Sequence, residues 1–142
     1  MNAPQPAASN GYLLLFRGTA WHEGLSAEEI QQVMTRWYSW FDKLTKEGKL
    51  KTGQPLANEG KVVAGKGGHT VTDGPFAESK ESVGGYFLLN VDNIDEAVKI
   101  AQMCPALAHG LRVEVRPIVG SCPIESAAAI AAGREALVFA QA

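Results

Sequence analysis

Long uncharged apolar runs are missing from these 142 residues, and nowhere does the chain offer the ~18 consecutive residues that a membrane span needs. Cysteine is scarce as well. Cys104 and Cys122 each precede a proline, and neither belongs to a CxxC pair or a Cys/His cluster. A metal centre or redox pair therefore has little to build on, and two reduced thiols are expected. Charge of one sign is not in excess. A net charge of −2 gives no electrostatic reason to expect nucleic acid or an anionic membrane as partner. The glycines at 65, 67 and 68 are followed by no GK[ST] and open no helix, so they make no phosphate loop. No Ser/His/Asp or Cys/His nucleophile pattern occurs, and no cofactor is expected. Residues 1–10 are polar and rich in Ala and Pro, without the basic start and apolar stretch of a secretory leader, so a cytoplasmic protein is expected.

What is present is one domain's worth of apolar sequence, 46% of the residues, enough for one real core. Residues 1–10 read as a disordered leader, 11–120 as the domain and 121–142 as a C-terminal helical extension. Tyr12 to Arg17 is a short apolar run bounded by glycines, as expected of a buried strand. Ser26 followed by Glu29 is a capping box. Behind it Ile30, Val33, Met34, Trp37, Phe41 and Leu44 recur at helical spacing until Gly48.

Leu50 to Leu56 reads as a weak strand, and 61–64 with 69–72 as the arms of a hairpin around a glycine-rich turn. Asp73-Gly74-Pro75 is a turn signature, because Asp accepts local N–H bonds, Gly takes unusual dihedrals and Pro fixes φ. Tyr86 to Val91 predicts a strand, and Asn93 with Glu96 caps a second helix whose buried side carries Ile94, Ala97, Val98 and Ala101. Leu111 to Val119 alternates, with Arg112, Glu114 and Arg116 on one face. The Ala-rich stretch 125–140 predicts a further helix.

This order is an α+β, ferredoxin-like βαββαβ plan with an extra hairpin and a C-terminal helix. Its sheet carries helices on one face only, and a second sheet is the natural cover for the other, which predicts a homodimer.

Three groups of residues are candidates for chemistry. Asp73 can serve as a general base or simply hold its bend. His22, in the loop before the long helix, and His69, four residues before Asp73 and on its face if the segment is extended, are the possible acid–base partners. Arg112, Glu114 and Arg116 can bind a small anionic ligand or form an ion-pair ladder across strands. Trp21 is the exposed aromatic best placed to stack on an aromatic ligand, with Phe76 beside the turn, whereas Trp37, Trp40 and Phe41 read chiefly as core or subunit contacts.

Val71 to Glu81, with the Asp73-Gly74-Pro75-Phe76 core, then Gly84-Gly85-Tyr86 and Val113 to Pro117, resembles the YCII-related family in its DGPF-motif branch. The resemblance runs from about Tyr12 to Ile118. It implies a dimeric α/β barrel and little about activity. Some relatives are linked to alternative sigma factors, which adds a sigma-factor-related protein as a possible partner, and a few act on small aromatic compounds with a His–Asp pair. Their histidine stands near the start of the first helix, where this chain has Ser26-Ala27-Glu28-Glu29-Ile30, and His22 is the nearest candidate. The expected function is a small-molecule-binding or regulatory dimer. The alternative is a lyase- or isomerase-type enzyme using an Asp/His pair.

Overall fold

The structure, a computed structural model, describes residues 10–74 and 82–134. Strand β1 (Tyr12–Arg17) leads into helix α1 (Ala27–Lys46), then strand β2 (Leu50–Pro55) and a hairpin of β3 (Lys61–Ala64) and β4 (Thr70–Asp73). Strand β5 (Val83–Leu89), helix α2 (Ile94–Ala101), strand β6 (Arg112–Pro117) and helix α3 (Pro123–Ala132) complete the order.

The main sheet has the order β2-β5-β1-β6, with every neighbouring pair antiparallel. Each long helix therefore joins two parallel strands with a third lying between them: α1 links β1 to β2 across β5, and α2 links β5 to β6 across β1. This is the ferredoxin-like arrangement. The hairpin β3-β4 forms its own two-stranded sheet, inserted between β2 and β5.

Local chemistry explains the boundaries. Ser26 Oγ accepts from the Glu29 amide at 3.1 Å while Glu29 Oε1 accepts from the Ser26 amide at 3.1 Å, which satisfies two of the orphan donors at the start of α1. Gly48, at φ 72, releases the chain after Glu47. Asn93 Oδ1 accepts from the Glu96 amide at 2.9 Å to open α2. The buried side of α2 differs from the sequence expectation. Ala97, Ile100 and Ala101 are enclosed, while Ile94 and Val98 are exposed, because the short helix is rotated toward Ile100 against the sheet. The C-terminal helix begins at Cys122-Pro123, with proline in the first turn, and ends at Gly133 in the left-handed region. The expected helical stretch beyond residue 134 lies outside the described residues.

The core lies between the helices and one face of the sheet. Cross-strand partners share a face, so Tyr12, Leu14 and Phe16 of β1 align with Leu89 and Phe87 of β5 and with Val115 and Val113 of β6. Leu14, Leu89 and Val33 are fully enclosed there. The other face carries Leu13, Leu15, Arg17, Tyr86 and Leu88 with Arg112, Glu114 and Arg116. Helices α1 and α2 pack on the core face, and the β1 positions of the opposite face remain half-exposed. Among the described residues, no helix is long and apolar enough to cross a membrane.

Candidate functional site

Aromatic side chains concentrate at one end of the core. Phe16 meets Trp37 and Phe87 edge-on, each at 4.9 Å between ring centroids, and Phe41 meets Phe87 at 5.5 Å. Edge-to-face packing of this kind adds about 0.5–1.5 kcal/mol per pair beyond area burial. The rings do not fill the space between α1 and the sheet. A cavity of about 450 Å³ remains, within the size range of small-molecule sites.

Its walls come from distant parts of the chain. Helix α1 contributes Met34, Trp37, Tyr38 and Phe41, and Trp21 enters from the loop after β1. Strands β1 and β5 supply Phe16 and Phe87. The rest of the wall combines Gly53 and Pro55 of β2, Gly84-Gly85 of β5, and the side chains of Leu56 and Leu111. A Cβ on Gly53 would stand 2.6 Å from Phe87 Cδ1, and one on Gly84 would stand 2.8 Å from Thr19 Cγ2. Both are closer than atoms can approach, so glycine lets Phe87 and Thr19 pack directly on these strands. The polar accents are uncharged: Thr19, Gln54 and Asn58. Behind Thr19, its hydroxyl is hydrogen-bonded at 2.9 Å to Ser82, the one buried polar residue among those described.

Trp21 thus lines the cavity. It is half-buried, meets His22 edge-on at 5.7 Å and lies at 31° to the ring of His109 at 6.2 Å. His22 is exposed in the turn before α1, and its carbonyl accepts from the Leu25 amide.

The other candidates lie elsewhere. Asp73 ends β4 with an exposed side chain, and its carboxylate accepts a hydrogen bond from Lys61, its cross-strand partner. His69 is not part of the strand. It caps a 3-10 turn in helical conformation (φ −74, ψ −21), so the same-face relation to Asp73 expected of an extended segment does not hold. Gly74, at φ 144, bonds its amide to the Gly60 carbonyl and closes the hairpin stem. Phe76 and the polar stretch after it lie outside the described residues.

Glu114 is held from two sides on the sheet face opposite the core. Arg116 Nη1 donates to Oε2 at 3.1 Å and Arg17 Nε donates to Oε1 at 2.9 Å, across to β1. The Arg116 and Arg17 hydrogen bonds lower the Glu114 pKa. This is the ion-pair ladder anticipated as the structural alternative. Arg112 stands opposite Arg17 on the same face. The sheet itself therefore separates the ladder from Trp21, and the two do not share a site.

Sequence reasoning missed the cavity because helical spacing marks Trp37 and Phe41 as core-facing without saying how completely the core fills. A usable signal was present in the strand-interior glycines Gly53, Gly84 and Gly85, since glycine inside a strand often marks close backbone approach or a ligand. Among the described residues, no three His, Cys, Asp or Glu side chains gather as a metal site would require.

A search of curated proteins finds no match to this chain. The model of the YCII-related domain matches residues 12–119, from the first residue of β1 to just beyond β6, and the chain belongs to that family.

Proposed function

We propose that this domain is a small-molecule-binding module that works as a homodimer, with the aromatic cavity between α1 and the sheet as its binding site. The observation that carries the reading is the cavity itself, about 450 Å³ walled by rings from α1, β1, β5 and the Trp21 loop. Well-formed apolar pockets with a few convergent polar groups are the usual form of such sites.

Binding is better supported than acid–base catalysis. Among the described residues, the lining holds no carboxylate and no imidazole. Asp73, the sequence candidate for a general base, is ion-paired with Lys61 on a hairpin whose strand residues are all exposed. A catalytic base must come within hydrogen-bond reach of its substrate, in a setting that tunes its proton affinity. The dimer reading draws on the sheet face opposite the core, where Leu13, Leu15, Tyr86 and Leu88 form an apolar band beside the Glu114 ladder. A second sheet placed there would bury that band.

The test is a thermal-shift screen against a panel of small metabolites. A ligand at 100 times its Kd stabilises the folded state by about 2.7 kcal/mol, enough for a clear rise in Tm. Trp21→Ala should abolish the shift, measured against the variant's own unliganded Tm, which the lost packing of a half-buried ring will lower. Shifts that survive Trp21→Ala would place binding elsewhere.

A further inference from the structure

Trp21 reaches the cavity from the loop between β1 and α1. Reverse turns hold its backbone: the Trp21 amide donates to the Gly18 carbonyl at 3.2 Å, Glu23 to Ala20 at 3.0 Å and Leu25 to His22 at 3.2 Å. Those bonds fix the path of the chain. The indole itself packs against the core cluster and meets two histidine rings. We infer that His109, which lies outside the cavity lining, is a positioning residue for the Trp21 indole and makes its position depend on pH. The inference rests on the reading above that the cavity is a binding site.

The turn that carries His109 is anchored. His109 ends a 3-10 turn (Leu107–His109), and its amide donates to the Ala106 carbonyl at 3.0 Å. Gly110 then takes a φ of 94, and the Leu111 amide donates back to the Ala106 carbonyl at 3.3 Å. Ala106 and Leu111 both belong to the core cluster, so the turn is tied to the core at both ends. The His109 ring is half-buried and inclined only 31° to the indole, with centroids 6.2 Å apart. Rings in that relation pack in either charge state, but an imidazolium is also drawn to the negative face of the indole. His22 meets Trp21 edge-on and is exposed, so water weakens the effect of its charge.

Histidine is the side chain that changes charge between about pH 5 and 8. Three neighbouring elements bring further charged or titratable groups. The first turn of α1 brings Glu28 and Glu29, the loop brings His22 and Glu23, and β6 begins with Arg112, which belongs to the sheet face opposite the core. Glu29 lies within electrostatic reach: hydrogen bonds with Ser26 lower its pKa, and the His109 charge adds to the lowering. Protonation of His109 thus adds an attraction to the indole face and to Glu29, and loss of the proton removes both. Trp21 is held against His109 at the acid end of the range and is freer at the basic end. Because Trp21 lines the cavity, the shape of that wall follows the same titration.

The experiment is fluorine NMR of the full chain labelled with fluorotryptophan, recorded between about pH 5 and 8 without ligand. Loss of one signal in Trp21→Phe assigns Trp21 among the three tryptophans. That signal should shift through a transition that Trp37 and Trp40 do not share. Its isotope shift between light and heavy water, a measure of solvent exposure, should be larger at the basic end. His109→Phe keeps a flat ring without the titration and should leave the Trp21 signal constant with pH. His22→Gln should leave the transition in place. A transition that survives His109→Phe, or that vanishes in His22→Gln, would overturn the inference. So would a wild-type signal that does not titrate, or an isotope shift unchanged across the transition. A metabolite screen that finds no binder would instead remove the cavity as a site and leave the His109–Trp21 coupling standing.

Discussion

Phe87 lies directly over Gly53: a Cβ built on the glycine meets the Phe87 ring at 2.6 Å, although the two are cross-strand partners in β2 and β5. Phe87 belongs to the core cluster and lines the cavity, so this contact couples packing to the candidate site. Gly53→Ala should force the ring out of place and cost about 1–3 kcal/mol, the usual range for overpacking. Urea denaturation would show it as a lower midpoint at unchanged slope. Ligand affinity should fall in the same variant, because the displaced ring moves into the cavity.

The Glu114 ladder predicts an acid-dependent loss of stability. The hydrogen bonds from Arg116 and Arg17 depress the folded-state pKa below its ordinary value of 4.5. A carboxylate depressed on folding stabilises the protein above its unfolded pKa, and the contribution disappears as pH falls through the folded value. The stability difference between wild type and Glu114→Gln should therefore be constant near neutrality and decline from about pH 4.5 downward. Added salt should shrink it at every pH, since the pair is partly exposed. A difference that ignores both pH and salt would show the ladder to be energetically silent.

Thiol labelling should separate the two cysteines. Burial pushes the Cys104 thiol up to about 11, against small opposing effects from the Ala106 and Leu107 backbone. About one molecule in a thousand then carries the thiolate at pH 8, and the side chain is enclosed as well. Cys122 is only half-buried, at the start of α3. Iodoacetamide under native conditions should modify Cys122 first, with Cys104 reacting only after unfolding. Mass spectrometry of a time course would show one adduct, then two in denaturant.

The sheet face opposite the core predicts the oligomer. Leu88 stands there between Leu13 of β1 and Thr52 of β2. Leu88→Asp places a charge in the apolar band and should convert a dimer to a monomer at micromolar concentration, measured by sedimentation velocity. A wild-type protein that sediments as a monomer at that concentration would remove the dimer from the proposed function.

Much of the fold was legible in the residue order because its signals are local. The capping box at Ser26 and the N-cap at Asn93 sit within one turn of the groups they satisfy, and the alternation from Arg112 to Pro117 states which residues share a face. Errors arose where a local rule met a tertiary choice. Ile94 and Val98 look core-facing on a helical wheel, yet packing of α2 turned Ile100 inward. His69 would share a face with Asp73 in an extended chain, but the glycines around it fold into a 3-10 turn.

The candidate site belongs to the second kind of information. Sequence alone determined that Trp21, Trp37 and Phe41 are apolar, that Gly53 interrupts a strand while Gly84 and Gly85 precede one, and that Arg112, Glu114 and Arg116 lie on one side of β6. Only the tertiary structure decided that the first two groups wall one cavity while the third lies across the sheet from it. The reason is physical. Periodicity tells which way a side chain points from its own element, whereas a cavity is the space left when several elements meet, and its shape depends on distances that no single element encodes.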